Sequence, residues 1–262
     1  MSVVIVTGGT FGIGRSITLT LASRGHNVVA FGLDSPQISS TAANSIPGLR
    51  EELKKMDSDS HVLEADVSKS DQVNRVVEFT LKSFSRIDAL VNNAAIGPLG
   101  SILDTPEDVW DRVISVNLKG PYLTCKAVLP HMIARGGGSI VNIGSGAGWG
   151  KPNMFAYSTS KGGIFSFSAA LAYDFLHDKI RVNTVVPGGG GIVTGMSLGR
   201  VGGDVEKVRR NGPGTAAGRH ATGDDIAKSV AFLLSKDAET LSGTVIDVGC
   251  FSHQGGPVPA PR

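Results

Sequence analysis

The sequence has few of the features that mark secreted, metal-binding or nucleic-acid-binding proteins. It contains two cysteines, Cys125 and Cys250, with no Cys-x-x-Cys spacing, so we expect neither a disulfide framework nor a thiolate metal site. The formal net charge is only +2, and no run of lysine and arginine is interleaved with aromatic residues, which make up 6% of the chain. Such a charge pattern lacks the basic surface that binds nucleic acid. We therefore expect no bound metal and no nucleic-acid partner.

Long apolar runs are also missing. No segment approaches the roughly 18 apolar residues that cross a bilayer, and a predicted strand begins at residue 2 without a charged leader before it. We therefore expect a cytoplasmic protein with no membrane partner. At 262 residues, the chain is long enough to bury the core of one large domain.

Glycine, by contrast, is abundant, and its 35 residues are roughly twice the usual ~7%. Between the glycine-rich segments, short β-branched runs alternate with amphipathic helical patterns. This alternation predicts an α/β protein with a single Rossmann-type, doubly wound parallel sheet of about seven strands and helices on both faces. The predicted strands are 2–7, 27–31, 61–65, 87–91, 139–143, 180–186 and 243–248.

The domain organisation follows from the same pattern. We assign residues 1–249 to one nucleotide-binding catalytic domain, in which 192–221 form a substrate-covering loop that is mobile without cofactor. Residues 250–262 are rich in proline and glycine and form an extended tail, either disordered or laid over a neighbouring subunit. Ser68 and Thr105 are predicted helix N-caps, and the helix after Thr105 runs to about Ala134.

A glycine turn follows the first predicted strand. Gly8, Gly12 and Gly14 stand between Thr7 and a helical pattern that ends near Arg24. Such glycines let backbone N–H groups approach a pyrophosphate, and the helix N-terminus adds its dipole. Tight packing of the strand on the helix would explain the same glycines without a ligand. The turn alone therefore favours a dinucleotide site without establishing one.

A tyrosine and a lysine lie four residues apart in the segment from Tyr157 to Lys161. On a helix these positions share one face, so the ammonium group would lie beside the phenol and lower its pKa from ~10. Tyr157 thereby becomes a candidate proton-transfer group. Tyr122 and Lys126 repeat the spacing without a preceding strand or serine, and we interpret that pair as helix surface or subunit interface.

Taken in order, the motifs of the chain resemble those of the short-chain dehydrogenases/reductases. They are the Thr-Gly-x-x-x-Gly-x-Gly turn of 7–14, Asp66-Val67, Asn92-Asn93-Ala94-Ala95, Asn117, Ser145, Tyr157, Lys161 and Pro187-Gly188. The resemblance covers nearly the whole chain. It departs from the family pattern where Ala95 replaces a glycine, where the loop between Ser145 and Tyr157 is slightly short, and where two extra glycines precede Ile192.

The resemblance implies hydride transfer between the nicotinamide of NAD or NADP and a secondary alcohol or ketone. By resemblance, Tyr157 transfers the hydroxyl proton, Ser145 binds the substrate oxygen, Lys161 lowers the tyrosine pKa and binds the nicotinamide ribose, and Asn117 holds a relay water. The family is usually dimeric or tetrameric, so we expect a homo-oligomer. The implied cofactor-binding residues are Gly8, Thr10, Phe11, Gly12, Ile13, Gly14, Asp34, Asp66, Val67, Asn93, Ala94, Tyr157, Lys161, Pro187, Gly188, Ile192 and Thr194.

Asp34, just after the second predicted strand, bears on the choice of cofactor. An acidic side chain there accepts hydrogen bonds from the adenosine ribose and repels a 2′-phosphate. The usual acidic position of the family falls on Gly32 and its usual arginine position on Leu33, while Phe11 stands where NADP enzymes often carry a basic residue. We predict a preference for NAD over NADP. The alternative is that Asp34 only caps the turn that follows it.

Other functions are compatible with some or all of the same motifs. A 3-ketoacyl-carrier ketoreductase using NADPH would need the same residues, and Arg209 and Arg210 offer weak support for the basic rim that its carrier requires. An extended-family epimerase or dehydratase usually has different glycine spacing, and a non-catalytic nucleotide sensor commonly loses the Tyr/Lys pair. Trp149, Met154 and the apolar residues of 195–221 predict a partly apolar substrate pocket.

Overall fold

The computed structural model describes residues 2–34, 46–188, 192–210 and 214–249. In these ranges, seven strands form one parallel sheet of order β3-β2-β1-β4-β5-β6-β7. The strands are β1 Val3–Thr7, β2 Asn27–Gly32, β3 His61–Glu64, β4 Ala89–Asn92, β5 Gly138–Ile143, β6 Ile180–Val186 and β7 Val245–Asp247. The predicted fold class is confirmed. The predicted tail, with Cys250, lies outside the described residues.

Nine α-helices are described around this sheet. They are α1 Gly12–Ser23, α2 Ile46–Lys55, α3 Ser70–Phe84, α4 Glu107–Ile114, α5 Gly120–Ala134, α6 Phe155–Asp174, α7 Gly195–Gly199, α8 Val205–Arg210 and α9 Gly223–Leu234. Helices α1, α2 and α9 contribute to the hydrophobic core on one face of the sheet, and α3, α5 and α6 to the core on the other. Because helices cover both faces, every residue of β1 is buried, and the strand has a continuous apolar run over residues 3–6, not an alternating pattern.

The strand order reverses between β1 and β4, which pair with each other in the middle of the sheet. At such a reversal the following loops diverge and leave a crevice at the carboxyl ends of the strands, where α/β proteins bind ligands. A buried polar network braces the strands beside the crevice. Asn92 donates to Asn142 (2.8 Å), Asn142 donates to Ser168 (2.8 Å), and Thr184 donates to Ser168 (2.9 Å).

Two predicted helix caps are wrong. α4 is preceded by Pro106 as its N-cap, and the hydroxyl of Thr105 donates instead to the carbonyl of Ser101. α3 is preceded by Lys69, and the Ser68 hydroxyl donates to the carboxylate of Asp66. In both cases a nearby acceptor offered the hydroxyl a competing local hydrogen bond, which the capping pattern cannot reveal.

The predicted loop 195–221 and the predicted helix 105–134 also differ from expectation. The loop contains α7 and α8, and Thr194 caps α7 in a reciprocal capping box with Ser197. The long helix is interrupted by a π-helical turn at Ser115–Lys119, between α4 and α5. Among the helices described, none has the length and apolar character needed to span a membrane.

Candidate active site

A cleft of about 1400 Å³ lies along the carboxyl ends of the central strands. Ser145, Tyr157 and Lys161 line it, together with all of the predicted cofactor-binding residues except Asp34. Two predicted site residues therefore stand apart from the lining. Asp34 is exposed just beyond Leu33, and Asn117 is buried beneath the cleft.

The glycine turn forms one end of this cleft, and two of its glycines allow close backbone approaches. A Cβ on Gly14 would lie 2.0 Å from the carbonyl oxygen of Gly8, and a Cβ on Gly8 would lie 2.8 Å from the Cα of Ala94. Gly8 also has a φ of +58°, which disfavours residues with a side chain. Asn93 completes the contact, because its Nδ2 donates to the carbonyl oxygens of Thr7 and Gly8.

This end of the cleft fits a dinucleotide phosphate group. The residue before α1 is Phe11, whose side chain offers no cap, so the first-turn N–H groups of a full-length helix have no side-chain acceptor. An anion at this N-terminus would satisfy them. Nearby, the fully buried hydroxyl of Thr10 has no hydrogen-bond partner in the described chain. Both observations indicate polar groups whose hydrogen bonds a bound phosphate would complete.

Asp66 lies further along the same wall, after β3. Its carboxylate accepts hydrogen bonds from the backbone N–H and hydroxyl of Ser68, at 2.9 and 2.7 Å. Its own N–H donates to the Gln72 side chain. The segment thus has a well-ordered structural role, and its contact with an adenine amino group stays a prediction.

Tyr157 is buried at the opposite end, on the first turn of α6. Burial raises the pKa of its phenol, while the Ser145 hydroxyl and the Arg200 guanidinium oppose that rise. The guanidinium carbon lies 5.1 Å from the centroid of the tyrosine ring. Arg200, from the end of α7, is therefore a cation beside the phenol that sequence reasoning missed.

Lys161 differs from expectation in its position. Its Nζ donates to the carbonyl of Ile143 at 2.7 Å and lies 6.0 Å from the centroid of the Tyr157 ring. The side chain is 3% exposed, and burial lowers its pKa to about 8. The ammonium is thus held at the carboxyl end of β5, and its predicted lowering of the tyrosine pKa stays a prediction.

Asn117 lies in the π-helical turn and connects three elements. Its Oδ1 accepts from the N–H of Ile96 at 2.9 Å, and its Nδ2 donates to the Ile96 carbonyl at 2.8 Å and to the Ser160 hydroxyl at 3.0 Å. The side chain thus joins the loop after β4 to α6, directly below Tyr157. Its proposed role in a proton relay stays a prediction.

The second Tyr-x-x-x-Lys pair lies on the surface of its helix, in agreement with one of the two predictions for it. Tyr122 is 47% exposed on α5, and the Nζ of Lys126 donates to its hydroxyl at 3.1 Å in an exposed position. Burial and the neighbouring strand end, not spacing, thus separate the two pairs.

The residues expected to shape the substrate pocket are only partly correct. Trp149 stacks on Phe165, with ring centroids 4.5 Å apart, and neither Trp149 nor Met154 is among the residues that line the cleft. Apolar residues from the loop after β4 and from the segment around α7 and α8 form this part of the wall instead: Ile96, Pro98, Leu99, Met196, Val201 and Val208. The partly apolar character holds: Met196, Val201 and Val208 belong to the predicted segment 195–221, whereas Ile96, Pro98 and Leu99 replace Trp149 and Met154.

Comparison with known proteins agrees with this arrangement. The family model described as short chain dehydrogenase matches residues 2–199. The chain is 34% identical to the 3-oxoacyl-(acyl-carrier-protein) reductase of Thermotoga maritima, over 94% of this chain and 95% of that protein. It is also 34% identical to the 2-(R)-hydroxypropyl-CoM dehydrogenase of Xanthobacter autotrophicus, over 93% and 95%.

Solved structures show the same likeness. An actinorhodin polyketide ketoreductase with NADPH superposes with a TM-score of 0.84 at 27% identity, over 96% of this chain and 97% of that one. The aldohexose dehydrogenase of Thermoplasma acidophilum gives 0.83 at 30% identity, over 100% and 97%. Fold and site together define an NAD(P)-binding oxidoreductase that acts on alcohol or ketone groups. The chain belongs to the short-chain dehydrogenase family.

Proposed function

We propose that this protein transfers a hydride between the nicotinamide of NAD and a small-molecule secondary alcohol or ketone, with Tyr157 as the proton-transfer group. The carrying observation is that Tyr157, Ser145 and buried Lys161 meet in one cleft, whose other end has the glycine turn. A bound nicotinamide would supply the hydride acceptor for oxidation and the hydride donor for reduction.

The chain's own residues then handle the proton and the charge. The Tyr157 phenol takes the hydroxyl proton in oxidation and donates it in reduction. Ser145 sits beside the phenol and donates to the substrate oxygen, on which charge develops. Lys161 lies on the next turn of α6, where its ammonium favours the charged form of a neighbouring acid and can bind a ribose hydroxyl.

NAD is favoured by the residues at the ribose end. Asp34 follows the cleft-lining Leu33, and an acidic group there disfavours a 2′-phosphate. Phe11 at the start of α1 offers no positive charge, and the guanidinium of Arg15 is paired with Glu52. These features support the NAD preference; the alternative, in which Asp34 only caps a turn that starts at residue 35, involves residues outside the described ranges.

A ketoreductase of carrier-bound 3-ketoacyl groups, using NADPH, is the second candidate. The name of the Thermotoga relative and the exposed, cleft-lining Arg112 and Lys151 favour it. Arg209 and Arg210 add little, because neither lines the cleft and Arg209 is paired with the carboxylate of Glu206. A preference for NADPH and for acyl-carrier substrates would select this candidate.

We also propose a cytoplasmic location and a homo-oligomeric state. Tyr122 and Tyr173, which are exposed on α5 and α6, provide apolar surface for association through the two long helices. Light scattering of the purified protein would give the mass of the assembly and so test the dimer or tetramer directly.

Replacing Tyr157 tests the proposed reaction. Tyr157→Phe removes the proton-transfer group and should lower kcat by about a thousandfold with little change in NADH affinity. Tyr122→Phe is the matched control, since it alters the same sequence spacing on the surface and should leave both quantities unchanged. If turnover persists in Tyr157→Phe, or if NADH binding and folding are lost with it, the assignment fails.

A further inference from the structure

Arg200 lies at the substrate end of the cleft, in a setting that suits an anion. Its guanidinium rests against the ring of Tyr157, with the Cζ atom 5.1 Å from the ring centroid. Its Nε and Nη2 donate to the carbonyl of Gly97 at 3.1 and 2.9 Å, and Nη2 also lies 3.3 Å from the sulfur of Met196. The cation is thus fixed beside the proton-transfer group by uncharged acceptors.

No carboxylate in the described ranges forms an ion pair with this guanidinium. The arginines that do form such pairs there are Arg15, Arg86, Arg135, Arg209 and Arg219. Partial burial lowers the pKa of Arg200, and the interaction with Tyr157 only opposes this effect. Desolvating a cation without a counter-ion is costly, and a ligand that carries negative charge would offset the cost.

The loop after β4 leaves a space that this guanidinium fills. A Cβ on Gly97 would lie 2.3 Å from Nη2 of Arg200, 2.9 Å from the sulfur of Met196 and 3.1 Å from Cδ2 of Tyr157. Any side chain at this position would therefore displace the guanidinium or the ring. The absence of a side chain at Gly97 is what lets Arg200 lie against Tyr157.

The surrounding charges reinforce the positive field. Arg112 and Lys151 also line the cleft, and with Lys69, Lys161 and Arg200 they outnumber its two lining acids, Asp66 and Asp111. A concave surface with such an excess of positive charge attracts anions. Since Nε and Nη2 already donate to Gly97, a carboxylate would accept from the remaining N–H groups of the guanidinium, in a charge-assisted hydrogen bond.

Building on the proposed function, we propose that Arg200 binds the carboxylate of a hydroxy-acid or oxo-acid substrate. Because the guanidinium lies against the ring of the proton-transfer group, the carboxylate would lie close to the reacting carbon, as it does in 2-hydroxy and 3-hydroxy acids. In oxidation, the carbinol C–H bond gives its hydride to the nicotinamide, the O–H proton passes to Tyr157, and a carbonyl forms. The carboxylate is unchanged by the reaction and serves as the anchor.

The test compares 2-hydroxy and 3-hydroxy acids of graded chain length with their neutral methyl esters, using holoenzyme with NAD and with NADP. For at least one pair, the wild-type ratio of kcat/KM for acid over ester should be large. Arg200→Gln should lower that ratio by about a hundredfold, mainly through KM of the acid, since a partly desolvated charge pair loses one partner. Gly97→Ala should lower the acid-over-ester ratio as well, because the added Cβ displaces the Arg200 guanidinium without removing it.

Arg209→Gln is the matched control, because it removes an arginine of the same segment that is exposed and paired with Glu206. The ratio should not change in this variant. If Arg200→Gln lowers kcat/KM equally for acid and ester, the inference is wrong. It is also wrong if the wild-type enzyme has equal kcat/KM for acids and for their esters. Weaker cofactor binding in Arg200→Gln would instead assign the arginine to the cofactor phosphates and would also overturn it.

A binding measurement separates this inference from the reaction. In the Tyr157→Phe holoenzyme, calorimetry should detect the acid but not its ester, and adding Arg200→Gln should abolish that heat. If the acid binds in an Arg200-dependent manner but the wild type does not turn it over, the proposed function is wrong and the anion site is supported. If neutral alcohols are turned over but the acid does not bind, the proposed function is supported and the anion site is wrong.

Discussion

Lys161 shows how strongly one buried side chain can depend on its surroundings. It occupies the position that the Tyr-x-x-x-Lys spacing predicts, yet its ammonium donates to the carbonyl of Ile143. In the folded chain its pKa is about 8, below the ~10.4 of an unfolded lysine. The unfolded chain therefore holds this proton more tightly than the folded chain does.

This difference predicts a pH-dependent stability. Below pH ~8 the lysine is charged in both states and the folded state bears the full cost of its burial, whereas above pH ~10 it is neutral in both and the cost is gone. Lys161→Met should accordingly be more stable than the wild type at pH 7. Its advantage should shrink by up to about 3 kcal/mol as the pH rises from 8 to 10.

Urea unfolding of both proteins without cofactor, at pH 7, 8, 9 and 10, measures this change. Taking the difference between the two proteins cancels the titration of groups that they share. A difference that does not vary with pH would show that the lysine keeps an ordinary pKa in the folded chain.

At the scale of the element, the π-helical turn at Ser115–Lys119 explains a residue that looks unfavourable in sequence. An asparagine inside a helix costs stability unless its amide finds partners. Here the turn presents Asn117 to both main-chain groups of Ile96 and to the Ser160 hydroxyl. The irregular turn thus ties the loop that carries Gly97 to the helix that carries Tyr157.

Asn117→Ala should therefore destabilise the protein by about 1–3 kcal/mol, since it leaves the partly buried main-chain groups of Ile96 without this partner. Equilibrium urea unfolding measures this loss. Asn74→Ala, on the exposed face of α3, is the control and should change the stability by less than about 0.5 kcal/mol. If Asn117→Ala keeps its stability but loses turnover, the residue serves the proton relay and not the framework.

At the scale of the whole molecule, the cleft crosses the point where the strand order reverses, so a bound dinucleotide would contact the loops after most strands. A ligand that binds only the folded state raises its stability by about 2.7 kcal/mol at a hundred times its Kd. For a chain of 262 residues, this corresponds to roughly 5–10 °C in Tm.

Thermal unfolding with NADH and with NADPH should therefore show an increase for both and a larger increase for NADH at equal concentration. Asp34→Ala should reduce the difference between the Tm increases with NADH and with NADPH, because it removes the charge that disfavours a 2′-phosphate. A larger increase with NADPH would contradict the NAD preference and favour the carrier-dependent ketoreductase. No increase with either would argue against a dinucleotide site.

The sequence by itself determined much of this protein. Parallel strands covered on both faces have nearly continuous apolar sequences, so β1 and the other central strands could be predicted without a structure. The glycine turn and the segment from Tyr157 to Lys161 are local motifs, and their positions relative to the strands place them at one edge of the sheet. The family and the fold follow from these local patterns, and most of the predicted site residues line the cleft.

Tertiary structure alone decided the contacts between segments that are distant in sequence. Arg200 and Gly97 are separated by 103 positions, and no local pattern in either segment indicates that they meet beneath Tyr157. The same holds for the π-helical turn, which pairs Asn117 with Ile96, and for the carbonyl that holds Lys161. Periodicity and motifs report what a residue does with its near neighbours, whereas the charge and proton chemistry of this cleft depends on which distant groups share a small, partly desolvated space.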